Sequence, residues 1–298
     1  MKFNSNLGIE LKNPFILASG ILDENGYTLK RILESGAGAA VTKSIGSVER
    51  KGFDPPVIYR EEHSVINAIG LSNPGIDNYG YEMKIALSAG RPVIGSIFGQ
   101  TPEEFADLAK KMESYGASAV ELNLSCPHVN GYGMEVGSDP ELVSSIVTEV
   151  KSKINIPVYS KLSPNTSDMV KQAMAAEKSD AYVLINTVKA MKIDINAKKP
   201  ILSNIYGGLS GDAIKPIGVR YVYEVKKETG KPIIGVGGIN NINDALEYIM
   251  AGASAVEIGS AISYKGISIF NNLSKGLKEY METNSINNLN ELIGVAIE

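Results

Sequence analysis

The sequence predicts an α/β protein that folds as a single (β/α)8 TIM barrel. Short apolar runs, often β-branched, recur eight times along the 298 residues, and stretches of helical period separate them. Glycine-containing turns lead from several of these helices into the next run. Repeated strand–helix alternation indicates a parallel sheet, and a chain of this length fits one closed barrel. An open doubly wound sheet is the alternative, but it predicts a glycine-rich phosphate turn after the first strand, and Ser19-Gly20-Ile21 is not one.

The apolar runs are short enough to be buried strands, and the stretches between them have the spacing of amphipathic helices. Pro102 and Pro140 stand where the first turn of a helix tolerates a residue without an N–H. We expect residues 284–298 to form a last helix on the outside of the barrel. The predicted strands are 15–18, 39–42, 93–95, 120–122, 158–160, 182–185, 233–236 and 255–258, and the predicted helices are 23–35, 102–115, 140–154, 167–178, 217–229 and 243–251.

Two connections are too long for plain loops. Residues 45–91 follow the second predicted strand and residues 188–216 follow the sixth, and both are rich in Gly, Pro and Asn. Long excursions after strands lie on the C-terminal face of a barrel, where active sites are built. Ordinary surface turns are the alternative interpretation. Two long insertions on the same face of one barrel argue against it. With no linker, low-complexity tract or longer repeat, residues 1–298 are expected to be one domain.

Composition excludes several classes of function. The net charge of −4 argues against nucleic acid as a main partner. A single cysteine excludes an internal disulfide and a Cys-rich metal or iron–sulfur site, and two histidines offer little for a metal site or a catalytic triad. We find no leader pattern and no apolar run of about 18 residues. We therefore expect a cytoplasmic protein with no bound metal and no membrane partner.

The residues that end the predicted strands converge on one mouth of the barrel. Two of them are lysines, which are costly to bury unless they meet an anion or a polar ring. Gly-Gly and Gly-Ser end the last two strands, where barrels often bind phosphate through backbone N–H groups. This set suits a phosphate-bearing cofactor such as FMN together with a small planar polar substrate. The strand-end residues are Ser19, Lys43, Ser44, Ser96, Asn123, Cys126, Lys161, Asn186, Thr187, Gly237, Gly238, Gly259 and Ser260.

Cys126 is the strand-end residue best suited to acid–base chemistry. A lone cysteine is more often a small buried hydrophobe than a reactive group. Here the thiol follows the apolar strand that also delivers Asn123 to the mouth, opposite the two strand-end lysines and the predicted phosphate seat. Its position therefore favours chemistry over packing.

Motifs along nearly the whole chain resemble those of the class 1 dihydroorotate dehydrogenases. They include the run Glu121-Leu-Asn-Leu-Ser-Cys-Pro127, and the segments 137–140 and 191–194 look more like subclass 1B than like the fumarate-using subclass 1A. The resemblance implies FMN-dependent oxidation of (S)-dihydroorotate to orotate in de novo UMP synthesis. The other matching segments are 13–20, 67–75, 161–165, 186–187, 207–211, 214–216 and 235–238.

The resemblance also implies roles for individual residues. Cys126 matches the base that removes the C5 proton while hydride passes from C6 to FMN. Lys43 and Asn123 match residues that touch both substrate and cofactor. The implied substrate-binding residues are Lys43, Asn67, Ala68, Ile69, Gly70, Leu71, Asn123, Asn186 and Thr187. The implied cofactor-binding residues are Ser19, Lys43, Ser44, Asn123, Lys161, Ile185, Gly211, Gly237, Gly238, Gly259 and Ser260.

Subclass 1B members pass electrons to another subunit that carries FAD and a 2Fe–2S cluster and reduces NAD+. The resemblance thus implies a homodimer that joins such an iron–sulfur FAD subunit in a heterotetramer. This chain departs from the family at Ser96, where an amide is usual, at His128 in place of Asn, and at Asp212 in place of Pro. We keep Ser96 as a cofactor contact on strand geometry alone. Residues 127–138 could form a lid beside Cys126, or an ordinary flexible turn.

Other functions remain open at the level of the sequence. A flavin enzyme acting on another dihydropyrimidine needs the same mouth. An RNA enzyme like the tRNA-dihydrouridine synthases needs a basic face and usually an RNA-binding domain, which this acidic chain lacks. A barrel without cofactor that serves only in binding predicts a colourless protein.

Overall fold

A closed barrel of eight parallel strands forms the centre of the protein in a computed structural model, which describes residues 6–124 and 134–298, with side chains in the second range from residue 136. The strands alternate with helices along the chain, so the predicted fold class is confirmed. In chain order the strands are β1 (Phe15–Leu17), β2 (Ala39–Val41), β3 (Glu49–Arg50), β4 (Ile58–Arg60), β5 (Ser64–Asn67), β6 (Asn73–Pro74), β7 (Val93–Ile97), β8 (Ala119–Asn123), β9 (Val158–Lys161), β10 (Ala181–Leu184), β11 (Val188–Ala190), β12 (Ile193–Asp194), β13 (Lys199–Pro200), β14 (Gly207–Gly211), β15 (Ile233–Val236) and β16 (Ala255–Ile258).

The barrel strands are adjacent in the order β1, β2, β7, β8, β9, β10, β15 and β16, and β16 closes the barrel by pairing with β1. All eight predicted strands are therefore confirmed to within two residues at each end. The helices are α1 (Gly26–Glu34), α2 (Gly80–Leu87), α3 (Pro102–Ser114), α4 (Met134–Ser138), α5 (Pro140–Lys153), α6 (Met169–Ala175), α7 (Lys215–Thr229), α8 (Ile242–Met250), α9 (Ile262–Lys265) and α10 (Ile269–Thr283).

The helix signals in the sequence act as expected. Pro102 and Pro140 occupy the first turns of α3 and α5, and the residues before them, Thr101 and Asp139, accept hydrogen bonds from backbone N–H groups of those turns. All six predicted helices are present, with ends that differ by up to three residues. None of the described helices combines the length and the apolar character that crossing a membrane requires.

The expected helix at residues 284–298 is wrong. The outer helix lies just before it, as α10, which buries Ile269, Phe270 and Leu273 on one face. Residues 284–298 contain only a 3₁₀ turn at Leu289–Glu291. This segment is rich in asparagine, whose side chain competes for backbone hydrogen bonds and favours caps and turns, and Asn288 does cap that 3₁₀ turn.

Side chains alternate strictly along the barrel strands between an inner and an outer core. Inward residues such as Ile16, Ile94, Val183 and Ile234 form a buried apolar cluster inside the barrel. Leu7 closes this cluster at the lower end, where Tyr159 Oη donates a hydrogen bond to its carbonyl at 2.7 Å. The alternation therefore determines which side chains reach the interior at the upper end, and those are the polar ones.

The two long insertions meet in a second sheet. Their strands form a four-stranded sheet in the order β11, β14, β5 and β4, and β14 pairs antiparallel with β5 between Gly208 and Asn67. Ile66, Ala68 and Leu202 form a small separate core beneath it. This sheet joins the two excursions above the C-terminal ends of the barrel strands.

Candidate active site

A cavity of about 350 Å³ lies between the upper ends of the barrel strands and the second sheet. Its walls include residues at the ends of every barrel strand except β7, and the second sheet contributes Val65 and Asn67. The mouth of the barrel is thus a concave site roofed by the insertions, as the sequence predicts. The predicted site residues that line it are Ser19, Lys43, Ser44, Asn67, Ile69, Gly70, Leu71, Asn123, Lys161, Ile185, Asn186, Thr187, Gly237, Gly238, Gly259 and Ser260.

Three other predicted residues lie behind the walls. Ala68 is fully buried in the small core of the second sheet. Gly211 lies close to Gly238, where a Cβ would come within 2.8 Å of the Gly211 carbonyl oxygen. Ser96 is fully buried inside the barrel beneath the cavity. Cys126, with His128 and most of the predicted lid, lies outside the described residues.

Ser96 supports the cavity wall from below. Its Oγ lies 2.9 Å from Ser44 Oγ, and Asn123 Nδ2 donates to Ser44 Oγ at 3.1 Å. Ser96 Oγ also donates to Glu121 Oε1 at 3.3 Å. The three polar side chains therefore hold one another in place, because buried polar groups need such partners. In this arrangement Ser96 orients Ser44, and through it Asn123, whose side chains do line the cavity.

Lys43 stands on one side of the mouth near a buried carboxyl group. Asp23 is almost completely buried and accepts a hydrogen bond from Gly20 N at 2.5 Å. Burial raises the pKa of Asp23, and the positive charge of Lys43 partly opposes that rise. This part of the wall therefore combines a half-buried cation with a carboxyl that fixes the loop after β1.

Lys161 enters the floor of the cavity from β9 between two carboxyl groups. Its Nζ lies 2.9 Å from Glu257 Oε2 and 3.4 Å from Glu121 Oε1. Burial by itself lowers the pKa of Lys161, but Glu121 and Glu257 outweigh it, so the pKa is raised and the ammonium stays charged. We did not predict the two glutamates, although an acidic residue inside an apolar strand, as in Val120-Glu121-Leu122 and Val256-Glu257-Ile258, was a visible signal.

The ends of β15 and β16 form an open backbone cradle. Gly237 and Gly238 have φ of +124° and +67°, a region that side chains with a Cβ rarely adopt. At Gly259 a Cβ would meet only Ala18 Cβ, at 3.7 Å, so the backbone faces open space. Backbone N–H groups exposed in this way can bind the oxygens of a phosphate.

Amide side chains line other parts of the cavity, at the end of β10 and beside a strained loop after β5. Asn67 Nδ2 donates to the carbonyl of Gly208 at 3.4 Å, and Asn186 Oδ1 accepts from Thr187 N at 2.7 Å. Gly70 and Leu71 both have positive φ, and a Cβ on Gly70 would lie 2.7 Å from Phe53 N. The loop is thus held in one conformation by its neighbours, with amide groups beside the cavity.

Comparison with known proteins agrees with this geometry. The family model described as "Dihydroorotate dehydrogenase" matches residues 3–281. The chain belongs to the dihydroorotate dehydrogenase family. It is similar to the protein named dihydroorotate dehydrogenase B (NAD(+)), catalytic subunit, of Thermoplasma volcanium, with 62% identity over 98% of this chain and 97% of that one.

Two further relatives have the same name as the Thermoplasma volcanium protein. The protein of Thermoplasma acidophilum is 62% identical over 97% of both chains. The protein of Pyrococcus furiosus is 50% identical over 97% of this chain and 96% of its own. The resemblance drawn from the sequence motifs is therefore confirmed, including its subclass.

Proposed function

We propose that this protein is an FMN-dependent dihydroorotate dehydrogenase that oxidises (S)-dihydroorotate to orotate in pyrimidine biosynthesis. The observation that carries the proposal is one cavity that combines a glycine cradle, a buried lysine and several amides. The names of the relatives support the same reaction. This set of groups suits a phosphate-bearing ring cofactor and a small planar substrate.

The residues present fit FMN. Gly237, Gly238, Gly259 and Ser260 would hold its phosphate, because all four line the cavity and the space beside Gly259 is open. Lys161 would place a positive charge near the ring system, where negative charge gathers on reduction. Ser19, Ser44 and Ile185 complete that side of the cavity. When bound, FMN supplies the two-electron acceptor for the hydride that leaves C6.

The remaining wall residues suit the substrate. The amides of Asn67, Asn123 and Asn186 can donate to a carboxylate or carbonyl and accept from a ring N–H. Lys43 offers a cation for the substrate carboxylate. Asn67 is paired with Gly208 in the second sheet, and the backbone of Ala68 and Ile69 is hydrogen-bonded to Val57 and Phe53, so this wall is largely formed before the substrate binds.

Cys126 is proposed as the base that removes the C5 proton. A free thiol has a pKa near 8.5, so only about 3% is thiolate at pH 7. The reaction rate should therefore rise through the mildly alkaline range unless the site lowers that pKa.

The proposed electron acceptor is NAD+, reached through another polypeptide. The relatives are named as catalytic subunits of an NAD(+) enzyme. This chain has one cysteine and therefore cannot bind a cysteine-ligated cluster itself. We propose a homodimer that associates with an iron–sulfur FAD subunit. Reduction of NAD+ by this chain alone would contradict that part of the proposal.

Anaerobic mixing of the purified yellow protein with dihydroorotate tests the reaction. We expect the flavin absorbance at about 450 nm to bleach, and dihydrouracil at the same concentration to leave it unchanged. Cys126→Ser should slow bleaching by about 10²-fold or more while FMN stays bound. A colourless protein, or preferential bleaching by dihydrouracil, would refute the assignment, and undiminished reduction in Cys126→Ser would remove that residue from the role of base.

A further inference from the structure

Two carboxyl groups and one ammonium group fill the interior of the barrel directly beneath the cavity. Glu121 and Glu257 are each 1% exposed and Lys161 is 5% exposed. All three also contribute to the cavity floor. Within the described residues, one oxygen of each carboxyl, Glu121 Oε2 and Glu257 Oε1, has no hydrogen-bond partner. These buried polar atoms require an explanation, because such groups are costly.

The charges of this cluster do not cancel when both carboxyls are ionised. One ammonium would then face two carboxylates, which leaves a net charge of −1 in an apolar barrel. Burial, followed by the nearby Glu121, raises the pKa of Glu257 to about 8. Burial and the like charge of Glu121 therefore favour the protonated form of Glu257 at neutral pH.

In the surroundings of Glu257, Glu121 and Lys161 are the charged groups that influence its titration. On the neighbouring strands, Ile16 of β1 and Val236 of β15 stand beside Glu257, and both are apolar. The charged groups that act on Glu257 are Glu121, which lies across the barrel on β8, and Lys161 on β9. Glu121 in turn accepts a hydrogen bond from Ser96, which does not titrate.

We propose that Glu257 is a positioning residue that holds Lys161 Nζ in the cavity floor and, by gaining or losing one proton, sets the charge of the cavity in which the flavin would bind. This inference rests on the proposed function for the presence of the flavin. The proton exchanged comes from and returns to solvent, and no other group is oxidised or reduced. When Glu257 is ionised, the net negative charge disfavours reduction, because reduction adds electrons to the ring above it.

The test is a redox titration of the flavin-loaded protein with dithionite and indicator dyes, for wild type and Glu257→Gln. Glutamine keeps the size of the side chain and an oxygen for Lys161, but it cannot ionise. Glu224→Gln is the matched control, because Glu224 pairs with Arg220 on the surface of α7 at 2.8 Å. All three proteins should have the same midpoint potential at about pH 6, where Glu257 is protonated.

Above about pH 8 the curves should separate. The potential of wild type and of Glu224→Gln should fall more steeply than that of Glu257→Gln. Coincident curves over the whole range would overturn the proposal, as would a separation already complete at about pH 6. Glu121→Gln removes a charge that helps to raise the pKa of Glu257. In this variant the pH at which the midpoint potential begins to fall more steeply should therefore be lower than in wild type. The same pH of steepening in Glu121→Gln and wild type would also contradict the proposal.

An infrared titration of the flavin-free protein separates this inference from the proposed reaction. Wild type should lose a carboxylic-acid C=O band with a midpoint near pH 8, because burial and then the nearby Glu121 raise the pKa of Glu257 to about 8. The band should be absent in Glu257→Gln. If dihydroorotate fails to reduce the protein but this band titrates as expected, the substrate assignment alone is wrong. If no band titrates there in wild type, the proposal fails whether or not the variant folds.

Discussion

The lower and upper halves of the barrel interior differ although the same strands build both. In the lower half the inward side chains are apolar, as at Ile16, Ile94 and Ile234. One alternation step further up, β7, β8 and β16 present Ser96, Glu121 and Glu257, each at most 1% exposed. Both halves are equally buried, so burial alone does not explain the change in chemistry.

The apolar lower half serves mainly the stability of the barrel, and the polar upper half serves mainly the cavity above it. Apolar side chains in the lower half contribute to stability through burial and close packing. A buried ion cluster is weak evidence for stability, because removing charges from water costs more than an average ion pair returns. The upper cluster is therefore best explained by the cavity it supports. Substitutions in the two halves should affect different measurements.

The largest expected effect comes from Lys161→Met. This change leaves Glu121 and Glu257 buried without their cation, which should lower the free energy of unfolding by about 4 kcal/mol at neutral pH. Bound flavin should be lost as well. Urea unfolding and flavin content measure the two effects. Lys151→Met is the matched control, because Lys151 pairs with Asp180 at 2.8 Å in a partly exposed position; its cost should be below about 1 kcal/mol. An equal loss of unfolding free energy in the two variants would show that the buried cluster is no more important for stability than a surface ion pair.

Ile234→Ala tests the lower half. The side chain is completely buried inside the barrel, so a cavity should cost about 3 kcal/mol of stability. Flavin content and the rate of bleaching by dihydroorotate should remain those of wild type, because the cavity walls are unchanged. Stopped-flow absorbance and urea unfolding check these outcomes. A large loss of rate in the folded protein would show that the two halves are not independent.

Gly238→Ala should have a smaller effect on stability and a selective one on the cofactor. Its φ of +67° and the 2.8 Å approach to the Gly211 carbonyl oxygen strain any side chain there. We expect about 1–2 kcal/mol of destabilisation and a weaker affinity for FMN, measured by fluorescence titration. Gly230→Ala is the control, because it has nearly the same φ, +66°, at the end of α7 with open space around its Cβ. FMN affinity reduced equally in both would exclude a phosphate cradle.

The stability of the folded chain should also depend on pH. The pKa of Glu257 is raised from 4.5 to about 8 in the folded chain. Between these pH values the folded chain binds more protons than the unfolded one, so stability should fall as pH rises. Urea midpoints of the flavin-free protein at about pH 5 and pH 8 should show this fall in wild type and less of it in Glu257→Gln. Equal slopes would mean that Glu257 is ionised throughout.

Much of the barrel could be predicted because its signals are local. The eight strands are short apolar runs, and Pro102 and Pro140 mark helix starts through backbone chemistry that needs no distant partner. The outermost helix lies before the predicted segment, because the apolar face falls on α10 and the asparagine-rich residues after it form turns. Cys126 as the base stays a prediction, because it lies outside the described residues.

By itself the sequence determined which residues stand at the strand ends, because a parallel barrel brings all those ends to one face. This was enough to anticipate Lys43, Lys161 and the glycine cradle. Only the tertiary structure decided that Ser96 lies beneath the cavity, and that Glu257 reaches Lys161 from a strand 96 residues away along the chain. Such contacts depend on the tilt and closure of the barrel, which set the height of each inward side chain across the interior. The residue pattern within a single strand does not show at which height its side chains lie relative to those of the other strands.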